Sequence, residues 1–426
     1  MPEWLAVSLN GATDSMNTTN TSTKSGTAYG TRNIHYGHQL ISDADVEAVV
    51  DALRSDFLTQ GPLVGKFEDA MKNYCGSAFG IAVSNATAAL HIACLALGLG
   101  PGDLLWTAPN TFVASANCAL YCGADVDFVD IDARTYNMSI DALRSKLEQA
   151  KRNNRLPKIV IPVHFSGQAC DMQSIKALSR EYGFKIIEDA SHAIGGRYIN
   201  KPVGNCEYSD LTVFSFHPVK IITTGEGGMV MTNSPDLAQK LYQLRSHGIT
   251  RDTALMVGEP DGAWDYQQLQ LGFNYRLTDI QCALGLSQLA CIDDFIASRQ
   301  RLASSYDEQL AGLPVTIPYV VPDSFSAWHL YVILLDTDLN SGSDTGAGAV
   351  SLRRRVFEKM RESGIGVNVH YKPVHLQPYY KKLGFGAGDF PLAERYYERV
   401  LTLPLHCGLS DADQQYVVNA LRSCFC

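Results

Sequence analysis

Between about residues 75 and 245, short apolar, β-rich runs alternate with longer segments of mixed polarity. The runs Phe79–Ser84, Leu104–Thr107, Val126–Asp130, Ile159–Val163, Lys185–Glu188, Leu211–Phe216 and Gly228–Thr232 read as strands. Several are apolar without interruption, as expected of strands covered on both faces. Helix-length stretches separate them, among them Ala86–Leu97, Ile140–Lys151 and Met172–Tyr182. Such alternation predicts an α/β domain with a mostly parallel sheet sandwiched by helices.

The pattern changes after residue 278. Residues from about 279 to 310 read as one long or broken helix, followed by a strand at Trp328–Leu335, a helix at Val350–Ser363 and a last helix near Ala412–Leu421. That sequence of elements predicts a smaller α+β domain. At the other end, residues 9 to 31 are rich in Thr, Ser, Asn and Gly and read as a flexible leader. The expected organisation is a leader over 1–31, a large α/β domain over 32–278, and the long helix with the small domain over 279–426. Asp338–Gly348 and Thr250–Gly262 read as loops, the second a mobile one at the surface, and there is no internal repeat.

Composition narrows the function classes. The 426 residues are 46% hydrophobic and 19% charged, which is ordinary for a globular chain. Thirty-five basic residues against 44 acidic ones give a net charge of −9, so no basic field exists to hold a nucleic-acid backbone. No apolar run approaches the roughly 18–20 residues of a membrane span. The longest, Ala88–Leu99, contains His91 and reads as a buried helix. The N-terminus lacks a basic region followed by a clean apolar one, so no signal peptide is expected. The 11 cysteines are an odd number without a Cys-x-x-Cys pair, which favours reduced thiols in a cytoplasmic protein over a metal set.

In an open α/β sheet, ligands bind beyond the carboxyl ends of the strands. Four segments there carry chemistry. Ser84–Leu90 joins a strand to a helix through small residues, where free N–H groups and the helix dipole favour a phosphate. Ile186–His192 ends an apolar strand in Glu188 and Asp189, either of which suits a protonated pyridine nitrogen or a metal. Thr212–Lys220, followed by Thr223–Gly228, puts a lysine just past an apolar strand; a desolvated lysine has a lowered pKa and forms a Schiff base with an aldehyde. Gly272–Asp279 is polar and aromatic and precedes the long helix. Taken singly, each also has a plain reading as a helix cap or a surface lysine. Taken in chain order, three of them supply a phosphate cradle, a ring-nitrogen acid and a Schiff-base lysine, the set that pyridoxal 5′-phosphate requires. A dinucleotide site is excluded, because Gly225-Glu226-Gly227-Gly228 lacks Gly-x-Gly-x-x-Gly spacing and precedes a strand.

With Ser55–Pro62, Phe214–Gly228, Leu244–Ile249 and His370–Pro373, these residues resemble the DegT/StrS family of nucleotide-sugar aminotransferases. The resemblance runs from about Ile34 to the C-terminus, and it implies the aspartate-aminotransferase fold (fold type I of the pyridoxal-phosphate enzymes). It implies that Lys220 is the catalytic lysine and that Asp189 holds the ring nitrogen. His192 takes a place often filled by Gln near the ring hydroxyl, and Phe112 the place of the aromatic stacked on the ring. Ala86, Thr87 and Ser215 match the phosphate binders. Asn274 matches a residue reaching the cofactor of the other subunit, which implies a homodimer with shared active sites. For the sugar nucleotide it points to Tyr36, to Asp56, Phe57, Leu58 and Thr59, and to Trp328, His329, Leu330 and Tyr331. His217, His370 and His375 are further candidates for the same cleft.

The implied reaction is amino transfer from L-glutamate to C4 of a UDP-linked 4-keto-6-deoxy-N-acetylhexosamine, as in pseudaminic acid biosynthesis. A lysine at position 220 favours amination, since relatives that remove a sugar hydroxyl carry histidine there. Another GDP-, dTDP- or UDP-keto sugar is the nearest alternative. A non-catalytic cofactor-binding regulator is a more distant one. No metal, nucleic acid or membrane partner is expected.

Overall fold

Strand β1 (Phe79–Val83) opens a series that continues with β2 (Leu104–Thr107), β3 (Asp125–Phe128), β4 (Ile159–Ile161) and β5 (Lys185–Asp189). A small ribbon, β6 (Arg197–Tyr198) and β7 (Lys201–Pro202), precedes β8 (Leu211–Ser215) and β9 (Gly228–Thr232). In the computed structural model, which describes residues 33–336 and 351–425, the longer strands form one sheet of order β1-β9-β8-β5-β4-β2-β3. Only β9 runs antiparallel to its neighbours; the rest of the sheet is parallel. β4, β8 and β9 are buried along their whole length, in keeping with their unbroken apolar sequences. The leader over 1–31 and the loop Asp338–Gly348 lie outside the described residues.

The connecting helices are α3 (Ala86–Ala96), α4 (Ala114–Tyr121), α5 (Ile140–Arg152), α6 (Met172–Tyr182) and α7 (Pro235–Arg245). They follow α1 (Asp43–Arg54) and α2 (Pro62–Cys75), for which the hydrophobic pattern predicts no element. In α2 the buried stripe is only Phe67, Met71 and Cys75 with Glu68, one row at i, i+4, i+8, too narrow to stand out from the polar residues around it. α3 is the opposite case. Nearly every residue from Ala88 to Ala96 is buried, so it sits inside the molecule as its all-round apolar sequence demands.

The long helix is broken, as one of the two readings had it: α8 (Asp279–Ala290) and α9 (Ile292–Gln309) meet at 58°. Among the described residues no single helix is long and apolar enough to cross a membrane; the bent pair meets both conditions only together, and α8 packs on α1 and α2. Ile292 and Ile296 belong to the core of the large sheet, whereas Leu302 and Tyr306 belong to that of the small domain. The change of core thus falls inside α9, not at residue 279. Residue Ile34 also packs in the small core.

The small domain holds β12 (Val315–Thr316), β14 (Tyr331–Leu335) and β15 (Val400–Leu403) in one antiparallel sheet, after the short hairpin β10 (Ile249–Thr250) and β11 (Gln267–Gln268). β13 (Ser324–Phe325) leaves it to pair with β6. Helices α10 (Leu352–Glu362) and α13 (Asp411–Ser423) complete it, whereas α11 (Pro378–Lys381) and α12 (Pro391–Arg399) pack Tyr380, Ala393 and Tyr396 into the core of the large sheet. The strand expected from Trp328 begins only at Tyr331, because Trp328 takes a left-handed φ of 49° that breaks the extended run.

Candidate active site

A cavity of about 960 Å³ opens at the carboxyl ends of β1, β5 and β8, and residues just past each of these strands line it. At β1 the chain turns directly into α3. Asn85 caps that helix, its side-chain oxygen accepting the N–H of Ala88 at 2.8 Å, and Ala86 and Thr87 face the cavity. A helix start with unpaired N–H groups attracts an anion. Gly228 on β9 backs this start so closely that a Cβ there would lie 2.7 Å from the carbonyl carbon of Asn85.

β5 supplies the acid, and strand geometry chooses which one. Successive side chains on a strand point to opposite faces. Glu188 turns away from the cavity to a buried network, with His164 Nε2 at 2.7 Å and Thr212 Oγ1 at 3.0 Å. The donors from His164, Ser209 and Thr212 hold its carboxyl below the ordinary range despite burial. Asp189 turns into the cavity while only 5% exposed. There it accepts hydrogen bonds from Ser115 Oγ at 2.6 Å and from the Ser191 N–H at 3.1 Å.

Lys220 lies on the loop that joins β8 to β9. The loop is closed at its base by Phe216, whose carbonyl accepts from Thr224 N (3.0 Å) and Thr223 Oγ1 (2.9 Å) while its N–H donates to Gly227 (2.9 Å). Ser215 and His217, from the same turn, line the cavity beside it. Desolvation brings the Lys220 ammonium down to about 8, against an opposing pull from the Asp189 carboxylate. Three imidazoles stand near: His192, His329 and His370. Burial and the charge of Lys220 lower all three, His370 to about 3, so each is neutral at physiological pH. His329 Nε2 is 3.5 Å from Lys220 Nζ, and its Nδ1 is buried without a partner.

His192 has a fixed tautomer. Its Nδ1 accepts the Ser166 N–H at 3.3 Å, so Nε2 carries the proton and donates to Tyr371 Oη at 3.1 Å. Phe112 lines the cavity yet is 59% exposed, an aromatic face open to a planar ligand. An acid, an amine, an aromatic face and a helix start around one cavity fit the ring nitrogen, aldehyde, ring face and phosphate of pyridoxal phosphate.

The structure thus brings Ala86, Thr87, Phe112, Asp189, His192, Ser215 and Lys220 together, along with Tyr36, His329, His217 and His370. Other expected site residues lie elsewhere. Trp328 and Tyr331 stack in the small-domain core and Leu330 is buried in the large one. Trp328 Nε1 donates to Gln300 Oε1 at 3.0 Å and Tyr331 Oη to Asp307 at 2.6 Å, so their polar atoms are already used. These three, expected to meet the substrate, do not line this cavity and pack in the cores. They anchor the turn that presents His329, and buried Arg299 secures it from the carbonyls of Trp328 (3.1 Å) and His329 (3.3 Å). His375 is also away from the cavity, paired with Glu394 at 3.0 Å and packed on Phe390. Asp56, Phe57, Leu58, Thr59 and Asn274 are exposed and do not line this chain's cavity.

Two cavity-lining residues, Ser115 and Asn368, carry no chemical motif that marks them in the sequence, and Tyr371 lies in the His370–Pro373 segment with no role implied for it there. Ser115 has one available signal: it is a polar residue inside the apolar segment after Phe112.

Comparison with known proteins agrees with this geometry. Residues 39–422 match the DegT/DnrJ/EryC1/StrS aminotransferase family. The chain is 37% identical over 391 residues to the UDP-4-amino-4,6-dideoxy-N-acetyl-β-L-altrosamine transaminase of Campylobacter jejuni, covering 92% of this chain and 97% of the relative. It is also 37% identical over 363 residues to the GDP-perosamine synthase of Caulobacter vibrioides, covering 85% and 90%. The PLP form of the Streptococcus pneumoniae sugar aminotransferase Spr1654 superposes with a TM-score of 0.80 at 29% identity, covering 92% of this chain and 99% of that one, and a PMP form matches equally. The chain belongs to the DegT/DnrJ/EryC1/StrS aminotransferase family and is a sugar aminotransferase whose cofactor is pyridoxal phosphate.

Proposed function

We propose that this enzyme moves the amino group of L-glutamate to C4 of UDP-2-acetamido-2,6-dideoxy-β-L-arabino-hexos-4-ulose, giving the UDP-4-amino-4,6-dideoxy-N-acetyl-β-L-altrosamine used for pseudaminic acid. The likeness to the Campylobacter jejuni transaminase supports the sugar. The observation that carries the chemistry is Lys220, a half-buried amine lowered to about 8 in a cavity that also holds Asp189.

When bound, pyridoxal phosphate supplies an electron sink for the bond-breaking at the amino-bearing carbon. Asp189 holds a proton at the ring nitrogen. The N–H groups of Ala86 and Thr87, with the Ser215 hydroxyl, hold the phosphate. Lys220 Nζ removes the proton from the donor's Cα in the first half-reaction. In the second it delivers a proton to C4 of the sugar, because an amine of pKa about 8 serves as base when neutral and as acid once it has taken up a proton. His192, His329 and His370 stay neutral beside it, so the lowered basicity of Lys220 comes from desolvation and not from neighbouring positive charge.

The sugar nucleotide meets Tyr36 and His329 from this chain. Asp56, Phe57, Leu58, Thr59 and Asn274 serve the cavity of a second copy in a homodimer. The support is their exposure here: Phe57 is 52% and Leu58 47% exposed, large apolar surfaces beside the Thr59–Thr278 pairing.

Equal identity to a GDP-perosamine synthase favours a second reading, amination of a GDP-linked keto sugar. Purified enzyme with L-glutamate and each keto sugar, followed by 2-oxoglutarate release, separates the two. Turnover with the UDP-L-sugar supports the first reading, and turnover confined to its epimer or to the GDP-sugar replaces it. A bound cofactor without turnover on any sugar points to the regulatory alternative.

A further inference from the structure

Asp189 is fixed by its backbone before its side chain is considered. Its N–H donates to Pro162 at 2.9 Å and its carbonyl accepts from His164 at 3.0 Å. The carboxylate still has a broad χ2 torsion, and its direction is set by what holds its two oxygens. Ser191 N–H holds Oδ1 and Ser115 Oγ holds Oδ2.

An ionised carboxylate only accepts, so the Ser115 hydroxyl donates to it. The oxygen of Ser115 is then free to accept, and Thr111 Oγ1 lies 2.8 Å away. The result is a directed run from Thr111 to Ser115 to Asp189, in which each donor strengthens the next. Both hydroxyls are buried, Ser115 at 0% and Thr111 at 2% exposure. Ser115 also begins α4, its N–H donating to the Phe112 carbonyl at 3.3 Å. One turn of chain therefore carries the aromatic for the cofactor's face and the hydroxyl for the cofactor's acid.

We propose that Ser115 is a positioning residue for amino transfer: through its hydroxyl it keeps the Asp189 carboxylate aimed at the cofactor's ring nitrogen, and so keeps that nitrogen protonated. The inference rests on the assignment of Asp189 to that nitrogen. A charge-assisted hydrogen bond is short and directional, so it fixes the torsion of the carboxylate that accepts it. Without it the carboxylate has one anchor, at Oδ1, and swings about χ2, so it no longer meets the ring nitrogen in a fixed direction.

The test uses holoenzyme carrying pyridoxal phosphate labelled with ¹⁵N in the ring, in wild type and in the Ser115→Ala, Ser115→Thr and Asp189→Asn variants. The ring-nitrogen chemical shift is followed against pH, with kcat and the KM for the sugar measured alongside. Ser115→Ala is expected to lose the ring proton at lower pH than wild type and to lower kcat about tenfold. Its KM stays within about twofold, and Ser115→Thr restores both properties. A Ser115→Ala enzyme with wild-type shift and kcat overturns the proposal. So does a Ser115→Thr enzyme as impaired as the alanine variant, since packing and not the hydroxyl would then be responsible. If Asp189→Asn also keeps the wild-type ring signal, the assignment of Asp189 itself fails.

Discussion

Lys220 Nζ stands 3.5 Å from Nε2 of His329, and burial holds both groups below their ordinary pKa. The imidazole is therefore neutral across the physiological range, and the amine beside it loses its proton through about pH 8. The turn at Trp328–Leu330 puts the imidazole there, and Arg299 fixes the turn.

In the cofactor-free protein, the Lys220 amine is expected to titrate near 8, not near the ordinary 10.5. The rate of pyridoxal phosphate uptake should accordingly rise with pH and level off above about 8. Stability tracks the same difference. Between 8 and 10.5 the unfolded chain binds more protons than the folded one, so stability rises with pH across that window. Lys220→Met removes the buried amine. Its thermal midpoint should exceed that of wild type below pH 8, with the advantage shrinking as pH climbs to 10.5. A difference independent of pH would count against a lowered Lys220.

His329→Ala opens the space beside Lys220 to water. Better solvation returns the amine towards its ordinary value, so the pH limb of cofactor uptake is expected to move to the alkaline side. An unmoved limb would show that the desolvation of Lys220 owes nothing to His329.

Glu188 and Asp189 are consecutive residues with opposite duties, and isosteric amides separate them. Asp189→Asn is expected to keep the fold and lose about 10²-fold or more in kcat, the scale seen when a preorganised electrostatic partner is removed. Glu188→Gln is expected to cost about 1–3 kcal/mol of stability, as a buried network loses its charge, with little change in kcat per folded molecule. Thermal unfolding and steady-state rates on both variants check the contrast. Glu188 also sets an acid limit. Its folded pKa is depressed, so its contribution is present above the unfolded value and is lost as pH falls through the folded one.

Gly228→Ala should act on the phosphate cradle without touching the cavity. The new Cβ meets backbone of Asn85 and Ala86 at 2.7 to 2.8 Å, so the start of α3 has to shift. A stability loss of about 1–3 kcal/mol is expected, with weaker retention of pyridoxal phosphate. Absorbance titration of the cofactor into the cofactor-free variant tests it, and wild-type affinity would show that the cradle tolerates the displacement.

The order of chemical parts is legible because each part sits at the end of a short apolar run, and apolar runs are a local signal. β2, β9 and α6 coincide with their expected ranges, and Asp189, Lys220 and the Asn85–Thr87 turn lie at or beyond the ends of expected strands. Where the signal is a sparse stripe, as in α1 and α2, the pattern yields no element. In the segment Trp328–Tyr331, the residues are aromatic and polar in a way that suits a binding site, and only one of the four reaches it. A positive φ at Trp328 and the carbonyl-binding arginine direct the other three into two cores.

By itself, then, the amino-acid sequence determined the layered α/β class and the positions of an acid, an amine and a strand-to-helix turn of small residues. These depend on composition, on period and on the residues just past each strand end. Tertiary structure decided which of two adjacent acids faces the cavity and which histidine stands beside the lysine. It also decided that a serine 74 positions before Asp189 holds that carboxylate. Those choices depend on which residues distant in the chain are folded against one another, and no local pattern encodes that distance.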